Sequence, residues 1–211
     1  MKKIISLLSV LTFIGFTNVK AEMTYGIGLM TGQVSASGTE TEGTAADTSD
    51  RSKSVKEFFL GADIFAETEL ANGMSVGLSY VPLDIEIGSG DRTDLNGNDP
   101  AENDDGRRKA SADLSDLVTL YTNIPVGDSG GYALLGAHYT KVTPSTTLPN
   151  STYGSENVFG AQLGFGMKQG KGKIELYYSD FPDIELTSSG GNSNKISADA
   201  DAITLRLSLG F

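Results

Sequence analysis

From Met23 to Gln33 the chain alternates, with Tyr25, Ile27 and Leu29 on one face and Thr24, Gly26, Gly28 and Met30 on the other. The same period of two returns from Ser54 to Glu67, where Phe58, Leu60, Ala62 and Ile64 oppose Glu57, Phe59, Gly61, Asp63 and Phe65. Val76, Leu78 and Tyr80 continue it against Ser75, Gly77 and Ser79. In "DLVTLYTNIPV" and "YALLGAHYTKV" both faces hold apolar residues, with Leu135, Ala137 and Tyr139 making the better outer face of the second. The pattern clears again at Phe159, Ala161, Leu163, Phe165 and Met167, at Ile174, Leu176 and Tyr178, and at Ile203, Leu205, Leu207, Leu209 and Phe211. A two-residue period places successive side chains on opposite faces of a strand, so the reading is eight strands.

The connections alternate too. "VSASGTETEGTAADTSDRSK", "GSGDRTDLNGNDPAENDDGRRKASAD", "PSTTLPNSTYGS" and "SSGGNSNKISADA" are long and polar, whereas "LANG", "VGDSGG" and "QGKG" are tight and glycine-rich. Glycine and asparagine supply the backbone angles that short hairpins demand. Long external loops, short periplasmic turns and an even strand count describe an outer-membrane barrel. The opposite face is mostly Gly, Ser, Thr and Ala, which suits a crowded lumen better than a water-facing wall. The predicted fold is therefore all-β: a closed antiparallel eight-stranded transmembrane barrel, an up-and-down meander. A soluble ligand-carrying barrel with its apolar face inward is the rival.

The N-terminal "MKKIISLLSVLTFIGFTNVKA" has two lysines, an apolar stretch and small residues near Ala21, the layout of a secretory signal peptide. Residues 1–21 form this signal in the reading, with cleavage between Ala21 and Glu22, and residues 22–211 form the barrel. Removing the signal takes away three lysines and no acid, moving the formal charge from −11 to about −14. Such a balance argues against a nucleic-acid partner, which needs a basic surface. The chain has no cysteine, so disulfides and thiolate metal sites are excluded.

On this architecture the chain resembles the small outer-membrane barrels of the OmpX, OmpW and OmpA-barrel type. "SYVPLDIEI", "LYTNIPVG" and "KIELYYSDFPDIELTSSGG" are similar to short barrels from marine bacteria, some phage-encoded. The resemblance implies that Leu207, Leu209 and Phe211 form the signal read by the barrel-assembly machinery. It also implies outer-membrane lipid as the surrounding medium, termini in the periplasm and no cofactor.

Inward-facing charges on this register include Glu57, Asp63, Glu67, Lys168, Glu175 and Arg206. Buried charges persist when paired, so they are read, with His138, as a salt-bridge plug around Arg206, whose planar fork can hold two carboxylates. An ion path is the alternative. His138 and Thr140 resemble the His-x-Ser pair of the outer-membrane lipid A deacylases, but threonine replaces serine and no orienting carboxylate is evident. Asp91, Asp94, Asp99, Asp104 and Asp105 are loose cation candidates in a flexible loop, with no metal-binding motif. The function expected is non-enzymatic: a structural, surface-interaction barrel that shows acidic loops to an unknown extracellular partner. A narrow porin-like conduit is the alternative, and a lipid-modifying enzyme the third reading.

Overall fold

A computed structural model describes residues 19–41, 50–94, 106–147, 152–189 and 194–211. Its strands are β1 (Val19–Thr41), β2 (Asp50–Leu70), β3 (Ser75–Val81), β4 (Ile85–Asp94), β5 (Gly106–Pro125), β6 (Gly131–Thr146), β7 (Glu156–Gln169), β8 (Gly172–Thr187) and β9 (Lys195–Gly210). Every ladder is antiparallel, and the order runs β3-β2-β1-β9-β8-β7-β6-β5-β4 with β3 also paired to β5. That extra pairing closes the ring. The seam between first and last strands extends from Gly26↔Gly210 to Thr41↔Lys195.

Nine strands make eight staves, because β3 and β4 share one. The run Val81 to Ile85 is broken at Pro82, which has no N–H to give a ladder. Val81 pairs with Leu117 and Ile85 with Leu114, so three residues of this stave oppose two on β5. Against β6, β5 carries an extra residue of its own between Ser115↔Lys141 and Val118↔Tyr139; Asp116 there takes a left-handed φ of 53°, and this bulge keeps both Leu114 and Leu117 pointing inward. Strand β8 repeats the device: Asp183 has φ 59°, and Phe181 and Ile184 on either side of it are both buried. Gly73, Gly127, Gly130 and Gly170 hold positive φ in the three tight turns.

The first two stretches read as long loops are in good part strand. β1 and β2 stay paired to Thr41↔Asp50, and β4 and β5 to Asp94↔Gly106. Alternation fails there because those wall segments have water outside, so nothing selects an apolar outer face. Residues 1–18 lie outside the described residues. The expected cleavage after Ala21 falls at the start of β1, whose ladder to β2 is regular from Met23↔Thr68.

Towards the end away from the tight turns, called the outer end by its place on the barrel, the ring separates into two sheets. β7 and β8 pair only as far as Ala161↔Asp180, apart from a single bridge at Tyr153↔Ser188. No ladder joins β2 to β4 among the described residues. The sheets β2-β1-β9-β8 and β4-β5-β6-β7 therefore face each other like a sandwich. Met30, Val34, Phe181, Ile184 and Ala202 from one meet Ile85, Ile87, Leu114, Val142 and Val158 from the other in one buried cluster. Tyr153 caps it, its hydroxyl donating to Glu40 Oε1 at 2.9 Å.

A left-handed residue beside a proline in mid-strand is a test of this geometry. Asp183→Gly should leave stability within roughly 0.5 kcal/mol, and Asp183→Ile should lose about 1–2 kcal/mol, read by urea unfolding of the refolded barrel. Equal stability of the two variants would contradict the bulge.

Candidate functional site

The alternation that turns apolar side chains outward sends the other parity into the lumen, and eight staves leave that lumen narrow. What fills it depends on height. Near the turn end, β9 contributes Arg206, β2 Asp63 and β8 Glu175. Arg206 Nε and Nη2 donate to Asp63 Oδ1 and Oδ2 at 3.0 and 2.7 Å, and Nη1 donates to Glu175 Oε2. Tyr132 of β6 donates to the other Glu175 oxygen at 2.7 Å. The Asp63 and Glu175 carboxylates are almost wholly buried. A two-pronged bond to one carboxylate and a third prong to another uses the guanidinium fork as an ammonium could not.

A second pair lies in the same layer. Lys173 of β8 donates to Glu67 Oε2 of β2, which also accepts from Tyr121 and from Asn123 Nδ2, each at 3.1 Å. Phe65 separates the two centres, with the Arg206 guanidinium 4.9 Å and the Lys173 ammonium 5.5 Å from its ring centroid. Both cations thus lie within cation–π distance of the same ring. Three close approaches admit this crowding only because glycine stands opposite. A Cβ on Gly28 would overlap Asp63, and one on Gly77 or Gly166 would overlap the Tyr121 or Tyr132 ring.

Above the ionic layer sits His138 of β6, only 4% exposed. Its Nδ1 shares a hydrogen bond of 2.7 Å with Thr119 Oγ1, and its Nε2 one of 3.1 Å with Ser179 Oγ. Its ring stacks on Phe181 at 5.1 Å, joining the polar interior to the apolar cluster of the outer half. Thr140, the hydroxyl two residues away, donates instead to the Ser115 carbonyl at 2.9 Å. The histidine and that threonine do not form a pair.

Of the residues that sequence reasoning grouped as a plug, Asp63, Glu67, Glu175 and Arg206 meet in one layer, and His138 lies next to it. Two stand apart. Lys168 reaches the rim, half exposed, and bonds Glu69 at 3.4 Å. Glu57 belongs to the outer part of β2, half-buried and in none of these bonds. Lys173 was missed, although it shares a strand face with Glu175. The tyrosines were missed as well. Among the cation candidates, Asp91 pairs with Arg107 on the outer wall, and this guanidinium holds its carboxyl below the usual range. Asp94 ends β4, and Asp99, Asp104 and Asp105 lie outside the described residues. No group of three or more potential metal ligands occurs among the described residues.

Outside, the apolar side chains form a belt. Leu29, Leu60, Leu163, Phe165 and Leu207 are each more than half exposed. From Ile203 on β9 to Phe211 just past its end, the belt covers about 26 Å at ~3.3 Å per residue. Tilted at ~45°, it crosses about 20 Å, close to the height of an outer-membrane apolar band.

No family model and no curated protein matches the sequence. A solved structure does: the outer membrane protein AlkL, determined in lipid bilayers, is 14% identical, with 93% of this chain and 95% of that one covered at a TM-score of 0.50. The fold is that of a small outer-membrane β-barrel. Outer membrane protein OprG of Pseudomonas aeruginosa also matches the barrel, at 13% identity over 88% of this chain and 96% of its own, with a TM-score of 0.49. So does the Escherichia coli outer membrane protease OmpT, at 10% identity over 93% and 99%, with a TM-score of 0.43. At these identities the likeness concerns fold alone.

Two experiments separate the roles of the barrel's two faces. Leu207→Arg, in mid-belt, should cost about 2–4 kcal/mol in a bilayer, while Ser37→Arg, on the outer face of β1 beyond the belt, should stay within about 0.5 kcal/mol. Arg206→Met leaves two buried carboxylates without their cation and should cost about 3–5 kcal/mol. Urea titration in lipid vesicles reads all three variants, and a neutral Leu207→Arg or Arg206→Met would refute the corresponding assignment.

Proposed function

We propose that this chain is a closed, non-enzymatic barrel of the outer membrane, with its termini towards the periplasm and its extended outer wall turned to the surroundings. Its role is structural and surface-interacting: a lipid-embedded frame that presents an acidic outer surface to an extracellular partner. One observation carries the reading. The lumen is filled by successive layers, ionic near the turns, polar around His138 and apolar in the outer half, with Tyr153 across the top. Such a stack packs side chains across the lumen at each of these heights, which supports a closed frame, and rigid frames with exposed extensions are where binding surfaces reside.

Catalysis has little support. His138 is buried, its two nitrogens are engaged by Thr119 and Ser179, and no carboxylate orients it in the way nucleophilic catalysis requires. Leu207, Leu209 and Phe211 lie exposed on the outer face, where the assembly machinery can read them; the Phe211 amide still donates to Tyr25 O at 2.8 Å. A conduit is the second reading, favoured by one feature, an interior cavity of about 50 Å³ between the ionic and apolar layers.

Planar-bilayer recording separates these readings. Single barrels should give no steady ion-permeable openings; an ohmic step of defined size from the wild-type monomer would defeat the closed-lumen reading. Lipid A mass spectra should be the same with and without His138→Ala, and a product that disappears with the variant would make the barrel an enzyme.

A further inference from the structure

The cavity between the layers is chemically two-faced. Its floor is the Asp63–Arg206–Glu175 cluster, and its upper wall includes Met30, Ile85 and Phe181. The charges on the floor do not balance: two carboxylates face one guanidinium, while Lys173 is already taken up by Glu67 in the neighbouring pair. A formal negative charge is left in a site surrounded by protein and lipid, where an uncompensated charge is costly. Acceptor capacity is left as well. Each oxygen of Asp63 and Glu175 receives one hydrogen bond from Arg206 or Tyr132, and a carboxylate oxygen can accept two. Thr119 and Ser179 add hydroxyl oxygens on the walls.

We propose that this cavity binds a short primary alkylammonium ion, with its nitrogen against Asp63 and Glu175 and its chain among Met30, Ile85 and Phe181. A water needs ~10–15 Å³ of such space, so about 50 Å³ admits roughly three to five heavy atoms. That is the size of ethylammonium to butylammonium. The three N–H donors of the ammonium match the spare lone pairs of the floor, and its charge completes the balance. An alcohol of the same shape offers no charge, and a carboxylate adds to the excess. The site is independent of whether the barrel conducts.

The test uses the full barrel in nanodiscs of zwitterionic lipid, with empty discs as the partition control. Ligand-observed NMR titration should show saturable binding of propylammonium, with 1-propanol and propionate weaker by roughly tenfold or more, the worth of a charged hydrogen bond. Glu175→Gln keeps the side-chain shape and removes the excess charge, so affinity should fall by a similar factor. Ala202→Leu fills the cavity from its wall without touching the ions and should also abolish binding, heat-modifiable gel migration confirming that both variants fold. Equal binding of propanol and propylammonium, or wild-type affinity in both folded variants, would overturn the proposal.

Discussion

Hydrocarbon offers an amide no hydrogen-bond partner, and that one constraint governs the rest of the molecule. A sheet crossing a bilayer must therefore pair its first strand with its last. Here the seam is the register from Gly26↔Gly210 through Leu29↔Leu207 to Thr41↔Lys195. Once the sheet is closed, parity assigns every side chain. Leu205, Leu207 and Leu209 go to lipid, and Thr204, Arg206 and Ser208 go inside. Eight staves then leave a lumen too narrow for bulk water and too wide to stay empty. The interior must be packed, and its packing follows what the environment allows at each height.

The ionic layer shows how charge is kept in such a place. A buried carboxylate is costly without a cation beside it, and Arg206 binds both Asp63 and Glu175. The aromatic ring of Phe65 supports Arg206 and Lys173 together, while Gly28, Gly77 and Gly166 clear the space the layer occupies. Farther out, the ladders between β7 and β8 lapse and none joins β2 to β4, and two facing sheets bury an apolar core as any sandwich would. His138 and Phe181 stand at the change from one regime to the other.

How much of this was legible in the sequence follows from the same physics. Where lipid lies outside, the outer face is forced to be apolar, so the strands carrying Ile27, Leu60, Phe165 and Leu205 could be read directly. Where water lies outside, Ser35 to Thr41 and Lys195 to Asp199 keep their ladder without alternation, and they read as loops. The break at Pro82 did carry a signal, a proline inside an apolar run, and it marked a strand boundary within one stave. Inward charge could be listed by parity, but parity does not give height. Glu57 and Lys168 therefore join no common layer with Arg206. Lys173 was visible two residues from Glu175, and counting inward cations against inward acids would have found it. Tyr121 and Tyr132 were not accessible in this way, since their places depend on which glycine the register sets opposite them.

The seam is the most direct point of attack, and a chain without cysteine makes the measurement clean. Leu29→Cys combined with Leu207→Cys puts thiols on directly opposed residues of the first and last strands, Cβ atoms ~4.5–5.5 Å apart. Oxidation of the folded double variant in lipid vesicles, followed by denaturing gel electrophoresis, should give an internally cross-linked monomer that thiol reduction returns to the migration of the linear chain. Free thiols after oxidation, or dimers linked only between chains, would mean that β1 and β9 do not meet and that the sheet is not closed as described.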